Sequence, residues 1–254
     1  MNFPNFSISG KTALVTGTSK GIGQHIALTL ANAGADIILT ARDRVGLESA
    51  ARTIGEMGRK AEIVVADMAS PEEIRALAEQ ALRGGRKIDI LINNAGLSFP
   101  ESMLTATLEH WDLTLAVNLR APFLLSQLIG RRMIEQGGGK IINMSSQAGL
   151  VGIADHAAYC ASKAGLILLT KVMAVEWGPH NIQVNAVAPT VILTPMAEQA
   201  WADKAKRSAM LAKIPLGRFG YPADVSGAVL FLASPAADLI TGEVLTVDGG
   251  YTAQ

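Results

Sequence analysis

Tyr159 and Lys163 stand four residues apart in an Ala-rich stretch that runs on through Leu166, Leu168 and Leu169. On a helix, that spacing puts a phenol and an ammonium on one face, one turn apart. A free tyrosine titrates near about 10, too high to exchange protons easily at neutrality. A neighbouring cation favours the phenolate and lowers that value, so the pair reads as an acid/base group tuned by a lysine. Ser146 follows the strand-like run Lys140 to Met144, where its hydroxyl would hydrogen-bond a substrate oxygen. Tyr-x-x-x-Lys alone is common, and an exposed lysine beside a half-buried tyrosine is the plain alternative. The elements that position the pair have to decide.

Short aliphatic runs alternate with longer amphipathic ones. Strands are expected at Ala13 to Val15, Ile37 to Leu39, Ile63 to Val65 and Ile90 to Ile92, with helices over Ile22 to Ala33, Arg44 to Met57 and Pro71 to Leu82. Ser70-Pro71-Glu72-Glu73 is a helix start, with a cap, a proline and first-turn acids. The alternation predicts βαβ units and a parallel sheet. Further on, Leu108 to Gln136 reads as one long helix bearing Asn118, a poor helix-interior residue whose amide competes for the backbone. Lys140 to Met144, Ile182 to Val187 and the region from Glu243 complete the strands. A loop from Ala188 to Pro195, a helical segment from Met196 to Lys213 carrying Trp201, and a helix from Pro222 to Ala233 lie between the last two. The chain reads as one domain over 1–254, with a leader over 1–10 and a substrate loop and lid over 189–220.

Gly17, Gly21 and Gly23 sit between the first strand and the first helix, in Thr16-Gly17-Thr18-Ser19-Lys20-Gly21-Ile22-Gly23. Glycines there permit a tight turn and close approach of a pyrophosphate to N–H groups at a helix N-terminus. At the end of the second strand an NAD site would place an acid on the ribose 2′-hydroxyl. Ala41 and Arg42 stand there instead, and Lys20 adds a second cation. Both would attract a 2′-phosphate, so NADP(H) is preferred, with NAD(H) as the alternative; a solvated Arg42 paired with Asp43 is the plain reading. Asp67, ending the third strand, is placed to accept from an adenine amino group. Asn93-Asn94-Ala95-Gly96 lies at the carboxyl edge of the fourth, where ligands bind in open α/β sheets. Turn chemistry alone would explain either.

The chain has 254 residues and balanced charge, 22 Lys+Arg against 22 Asp+Glu. Nothing in that balance points to nucleic acid or an anionic membrane. The single Cys160 excludes an intramolecular disulfide framework and suits a reducing, cytoplasmic setting. The start lacks the basic and apolar regions of a signal peptide. Charges or polar residues are expected to interrupt every apolar run short of the roughly 18 residues a membrane span needs. No cluster has metal-ligand spacing. The hydrophobic share, 49%, suits a sheet buried on both faces or a subunit interface.

Thr16-Gly17-x-x-x-Gly21-x-Gly23, Asn93-Asn94-Ala95-Gly96, Asn118, Ser146, Tyr159-x-x-x-Lys163 and Asp248-Gly249-Gly250 occur in order along the chain. On these motifs the sequence resembles a short-chain dehydrogenase/reductase over essentially its whole length. The resemblance implies a Rossmann-type α/β domain, a doubly wound parallel sheet of seven strands with helices on both faces. It implies that Tyr159 protonates a carbonyl oxygen during reduction and deprotonates the alcohol during oxidation. It also implies that Ser146 stabilises the developing charge on that oxygen and that Lys163 lowers the Tyr159 pKa and holds the nicotinamide ribose. Asn118 would disturb its helix and bind a water linking Lys163 to solvent. The implied cofactor-binding set is Gly17, Ser19, Lys20, Gly21, Ile22, Gly23, Arg42, Asp67, Met68, Asn94, Ala95, Gly96, Tyr159, Lys163, Pro189, Ile192 and Thr194, with Ile192 and Thr194 at carboxamide-holding positions.

One departure from the family pattern is Pro189-Thr190 where Pro-Gly is usual, which costs backbone freedom at that turn. With Ser145-Ser146-Gln147, His156-x-x-Tyr159-Cys160, Trp201 and Ile214-Pro215-Leu216-Gly217, it resembles L-xylulose (dicarbonyl) reductases and bacterial polyol dehydrogenases. That subgroup implies a substrate pocket of Ser146, Gln147, His156 and Trp201 for a ketose, polyol or related hydroxy-ketone. His156 as a helix cap and Trp201 as interface packing are the alternatives. The broad apolar faces of the Asn118 and Tyr159 helices imply, through the resemblance, a homotetramer. A 3-oxoacyl thioester reductase is the rival enzyme; it needs a basic patch, for which the adjacent Arg131 and Arg132 are thin support. A non-catalytic dinucleotide-binding protein would be expected to have lost Tyr159, Lys163 or Ser146.

Overall fold

The computed structural model describes residues 3–254, apart from the side chains of Pro195, Met196 and Ala200. Among the described residues the aliphatic runs form seven strands: Thr12–Thr16 (β1), Asp36–Ala41 (β2), Ala61–Val65 (β3), Ile90–Asn93 (β4), Gly139–Met144 (β5), Ile182–Pro189 (β6) and Val244–Val247 (β7). Between them run helices Gly21–Asn32 (α1), Arg44–Glu56 (α2), Pro71–Ala81 (α3), Leu108–Leu115 (α4), Ala121–Gln136 (α5), Ala157–Trp177 (α6), Pro195–Ala200 (α7), Lys204–Leu211 (α8) and Pro222–Ala233 (α9).

The strands pair in parallel in the order β3-β2-β1-β4-β5-β6-β7. Leu14 stands opposite both Ile38 and Leu91, and Ile142 opposite Ile92 and Asn185. The order reverses between β1 and β4, and that switch point opens a crevice at the carboxyl ends of the strands. Alternate side chains feed two cores. Val15, Leu39, Ile92 and Val187 face α1, α2 and α9. Leu14, Ile38, Leu91, Ile141 and Val184 face α3, α5 and α6. Each such buried Leu, Ile or Val contributes about 1.5–3 kcal/mol, which explains strands apolar on both faces.

Helix starts follow their sequence signals. Ser70 Oγ accepts from Glu73 N at 3.2 Å, Thr107 Oγ1 from His110 N at 3.2 Å, and Asp43 from Val45 N and Gly46 N. The start of α1 differs: Lys20 makes no side-chain cap.

Two expectations change. The helix expected over Leu108 to Gln136 is interrupted by a π-helical turn, Ala116–Arg120, with Asn118 at its centre. The segment expected over Met196 to Lys213 breaks at Trp201, because Asp203 starts a new helix by accepting from Lys206 N at 2.9 Å. Two helical stretches, Leu108–Gln136 and Ala157–His180, are long and apolar enough to cross a membrane by length and composition. Charges still interrupt both, Asp112 and Arg120 in the first and Lys163 and Lys171 in the second. Here both stretches flank the sheet, α6 burying Leu166, Ile167, Thr170 and Met173 and α5 burying Leu125, Ile129 and Met133. Of the expected leader, Met1 and Asn2 lie outside the described residues. The remainder packs: Ile8 is buried, Asn5 O accepts from Ala236 N, and the Phe6 ring lies 6.3 Å from Phe231.

Candidate active site

The turn between β1 and α1 is held from two sides. Gly17 N donates to Thr40 O at 2.8 Å. Asn94 Nδ2 donates to Thr16 O at 2.8 Å, while Asn94 N and Ala95 N both donate to Thr16 Oγ1 at 2.9 Å. Asn94 and Ala95 thus brace the glycine turn. Gly17 has φ 72, and a Cβ on Gly23 would overlap Gly17 O and Asn94 Nδ2. The first N–H groups of α1, at Gly21, Ile22 and Gly23, have no intrahelical acceptor and no capping side chain. A helix N-terminus in that state suits a pyrophosphate, so these residues fit a dinucleotide. Ser19 is half-buried beside them and Lys20 is exposed.

Arg42 is exposed and lies 3.6 Å from Asp67 Oδ2, not on Asp43, which is occupied as the α2 cap. Asp67 Oδ1 accepts from Ala69 N at 2.8 Å, so a ligand donor would have to share Oδ2 with Arg42. Met68 buries its side chain in the core shared with Ile74 and Leu77.

Across the crevice, Asn118 Oδ1 accepts from Leu97 N and its Nδ2 donates to Leu97 O, both at 2.9 Å, and to Ser162 Oγ at 3.1 Å. A buried amide that clamps a neighbouring backbone explains both the π turn and the cost of an asparagine in a helix interior. A Cβ on Gly96 would meet Asn118 Oδ1 at 3.3 Å and Lys163 Nζ at 3.5 Å. Gly96 therefore lies against the candidate catalytic group.

Tyr159 is in the first turn of α6, and Lys163 follows one turn later. The Lys163 Nζ is 5.6 Å from the Tyr159 ring centre and donates to Met144 O at 2.8 Å. Ser146 begins the turn after β5, its Oγ accepting from Ala148 N at 3.1 Å. The helix is anchored by a buried amide chain that the sequence reading missed. Asn93 Nδ2 donates to Asn143 Oδ1 at 2.8 Å and to Ser126 Oγ at 2.9 Å, and Asn143 Nδ2 donates to Thr170 Oγ1 at 2.8 Å. Asparagines inside strands, where they are disfavoured, were the available signal.

Gln147 is buried and its Oε1 has no partner. The His156 ring lies edge-on to Tyr159 at 6.2 Å and its Nδ1 donates to Ala154 O at 2.7 Å, which leaves Nε2 for a ligand. His156 stands at the N-cap position of α6, its O accepting from Cys160 N at 2.8 Å, but its side chain makes no cap. Pro189 ends β6 and is buried. Ile192 bridges Gly220. Thr194 caps α7 through Ala197 N, and its Cγ2 would lie 3.5 Å from a Cβ on Gly21, which puts it against the glycine turn. Trp201 packs on Phe219 at 5.2 Å and beneath Lys206 Nζ at 4.8 Å. Thr190 does not need a glycine's conformation: it is outside the positive-φ residues and its N extends the pairing to Val247 O. Its buried Oγ1 has no partner and borders a cavity of about 540 Å³ with Arg218, Asp224 and Asp248.

The family model described as enoyl-(acyl carrier protein) reductase matches residues 17–252. An NAD-dependent glycerol dehydrogenase of Listeria innocua is 43% identical, over 98% of this chain and 96% of that one. An L-xylulose reductase of Bos taurus is 44% identical, over 97% and 98%. The chain belongs to the short-chain dehydrogenase/reductase family. A solved member, a gluconate 5-dehydrogenase from Burkholderia cenocepacia in complex with NADP and tartrate, superposes with a TM-score of 0.94 at 34% identity, covering 99% of this chain and 98% of that one.

In this short-chain dehydrogenase/reductase the electrostatics differ from the sequence expectation. Burial raises the Tyr159 pKa above its ordinary value, an effect larger than the lowering by the Ser146 hydrogen bond. Burial also pulls Lys163 down to about 8. The lysine was expected to lower the tyrosine. The correction has a physical cause: both groups are desolvated, and the ammonium is directed to Met144 O.

Proposed function

We propose that this short-chain dehydrogenase/reductase transfers a hydride between a nicotinamide cofactor and a ketose, polyol or related hydroxy-ketone, with Tyr159 as the acid/base. The observation that carries the reading is the convergence of Tyr159, Lys163 and Ser146 beside Gln147, whose buried Oε1 lacks a partner. A substrate hydroxyl would satisfy that oxygen, whereas a purely apolar acyl chain would leave it unpaired.

The nicotinamide, when bound, supplies or accepts the hydride. In reduction, Tyr159 donates its phenolic proton to the carbonyl oxygen as that oxygen gains charge. The raised pKa keeps the proton in place at neutrality. Ser146 donates a hydrogen bond to the same oxygen. Lys163, turned from Met144 O towards the ribose and Tyr159, would stabilise the phenolate left behind. Gln147 and His156 Nε2 would hold substrate hydroxyls, and Trp201 would close over them. Gly17, Ser19, Gly21, Ile22 and Gly23 would hold the pyrophosphate, Asp67 and Met68 the adenine end, Asn94 to Gly96 the inner wall, and Pro189, Ile192 and Thr194 the carboxamide end.

Arg42 and Lys20 support NADP(H) over NAD(H), since no carboxylate from the end of β2 stands against a 2′-phosphate. Exposed Phe123, Leu168, Val172 and Val175, with a groove of about 690 Å³ lined by Leu119, Phe123, Gly165 and Leu169, support pairing of α5 and α6 with a second subunit in a homotetramer. The single half-buried Cys160 supports a cytoplasmic setting. The test is the initial rate of NADPH and NADH oxidation with four- to six-carbon ketoses, with diacetyl and an acetoacetyl thioester as controls. Ketose turnover supports the reading, and turnover of the thioester alone would reject it.

A further inference from the structure

The turn from Gln147 to His156 carries both residues proposed to hold substrate hydroxyls. Its first end is fixed by its own backbone: Leu150 N and Val151 N donate to Gln147 O at 2.9 and 3.0 Å. Its second end sets the imidazole. His156 Nδ1 donates to Ala154 O at 2.7 Å, so the ring goes where residues 154–156 go, and it lies 6.2 Å from the Tyr159 ring. That end of the turn is exposed at Ala154 and Asp155, and Asp155 has φ 62, a left-handed conformation that Asp tolerates at a cost. Such a conformation persists where the surroundings hold it.

The hold comes from another part of the chain. Glu101 N donates to Asp155 O at 2.8 Å, and Glu101 pairs with His156 as a parallel bridge. Glu101 is itself pinned by His110, in the first turn of α4. His110 Nδ1 donates to Glu101 Oε2 at 3.1 Å, and its ring stacks on Phe99 with centres 4.0 Å apart. His110 is anchored in turn: its N donates to Thr107 Oγ1 at 3.2 Å, and Thr114 Oγ1 donates to its O at 2.7 Å. Upstream, Asn118 clamps Leu97 by both backbone groups. The segment is thus held at Leu97, Phe99 and Glu101, and it passes that constraint to Asp155.

We propose that His110 is a positioning residue for this reaction: by pinning Glu101 it fixes the turn at Asp155, and with it the direction of His156 Nε2. The proposal rests on the hydroxy-ketone reading above. An imidazole whose turn wanders must be ordered by the substrate, and that ordering is taken from binding. A substrate without hydroxyls makes no use of His156 and is indifferent to the pin.

The test is a double-mutant cycle read as kcat/KM with NADPH, on L-xylulose and on diacetyl, which has no hydroxyl. H156A and H110A should each lower the L-xylulose value by about tenfold, in line with one lost hydrogen bond. The double variant should fall no further than H156A alone, since both changes act on one contact. H110F, which keeps the stack on Phe99 but has no N–H, should behave as H110A does. H110Q keeps an N–H for the Glu101 carboxylate and should recover L-xylulose to within about threefold of native. Diacetyl turnover and KM for NADPH should stay within about twofold in all three His110 variants. Additive losses on L-xylulose, an equal loss on diacetyl, or native L-xylulose values in H110A and H110F would overturn the proposal alone. A native L-xylulose value in H156A would overturn it together with the part given to His156. Turnover of neither compound by the native protein would overturn it together with the ketose reading.

Discussion

The Lys163 ammonium, 5.6 Å from the centre of the Tyr159 ring, gives its hydrogen bond to the carbonyl of Met144 at 2.8 Å. Both groups are buried, and the ammonium bonds to the backbone rather than to the phenol. The pKa directions follow: Lys163 is pulled down from 10.5 to about 8 and Tyr159 is pushed above 10, both chiefly by burial.

That depression sets a pH dependence of stability. Between about 8 and 10.5 the unfolded chain holds the Lys163 proton and the folded chain has lost it. Stability therefore rises with pH through that window, by on the order of 3 kcal/mol from this group. Tyr159 acts in the opposite sense above 10, its contribution being lost as pH climbs past its folded value. Thermal unfolding of the cofactor-free protein from pH 7 to 10 should show the rise, and Lys163→Met should flatten it. Superimposable profiles would mean that Lys163 is solvated.

Gly23→Ala should disable the nucleotide site. Its Cβ would overlap Gly17 O and Asn94 Nδ2, both backbone-anchored, so the glycine turn must move. Overpacking of this kind costs about 1–3 kcal/mol. Titration by NADPH fluorescence should show affinity reduced by about tenfold or more, with a lowered melting temperature.

Arg42→Ala should separate the two cofactors. The exposed guanidinium, tethered to Asp67 at 3.6 Å, has no other described partner. KM for NADPH should rise by about ten- to a hundredfold while KM for NADH changes little, in line with the loss of one charge-assisted contact to phosphate. Equal changes for both would move the 2′-phosphate away from Arg42.

Asn118→Ala should loosen the substrate wall. It leaves Leu97 N and O without their partners, a cost of about 1–3 kcal/mol for each buried group. KM for a ketose should rise while kcat falls, and hydrogen exchange should quicken across 97–101.

The strands and the glycine turn were legible because their signals are local: β-branched runs, an Asp43 or Ser70 cap, glycines between a strand and a helix. The resemblance implied seven parallel strands but not their order, since pairing of β4 with β1 joins residues as far apart as Leu14 and Leu91. The interruption at Asn118 was half-visible; its identity marked trouble in a helix, but the partner, Leu97, is found only in three dimensions. The contacts of Glu101, whose N donates to Asp155 O and whose carboxylate meets His110 Nδ1, were not legible, because no sequence motif joins these residues. The Tyr159 shift was misread for a related reason. Spacing reports the distance to Lys163 but not the burial of both groups, and burial dominates.

The measurement that bears most directly on the account is single-turnover reduction of a ketose by Tyr159→Phe, with NADPH affinity measured on the same sample. Loss of a general acid should slow the chemical step by about 10²–10⁴-fold while NADPH still binds within about threefold of the native affinity, since the glycine turn is untouched. A variant that binds NADPH and reduces the ketose at the native rate would contradict the assignment of Tyr159 as proton donor.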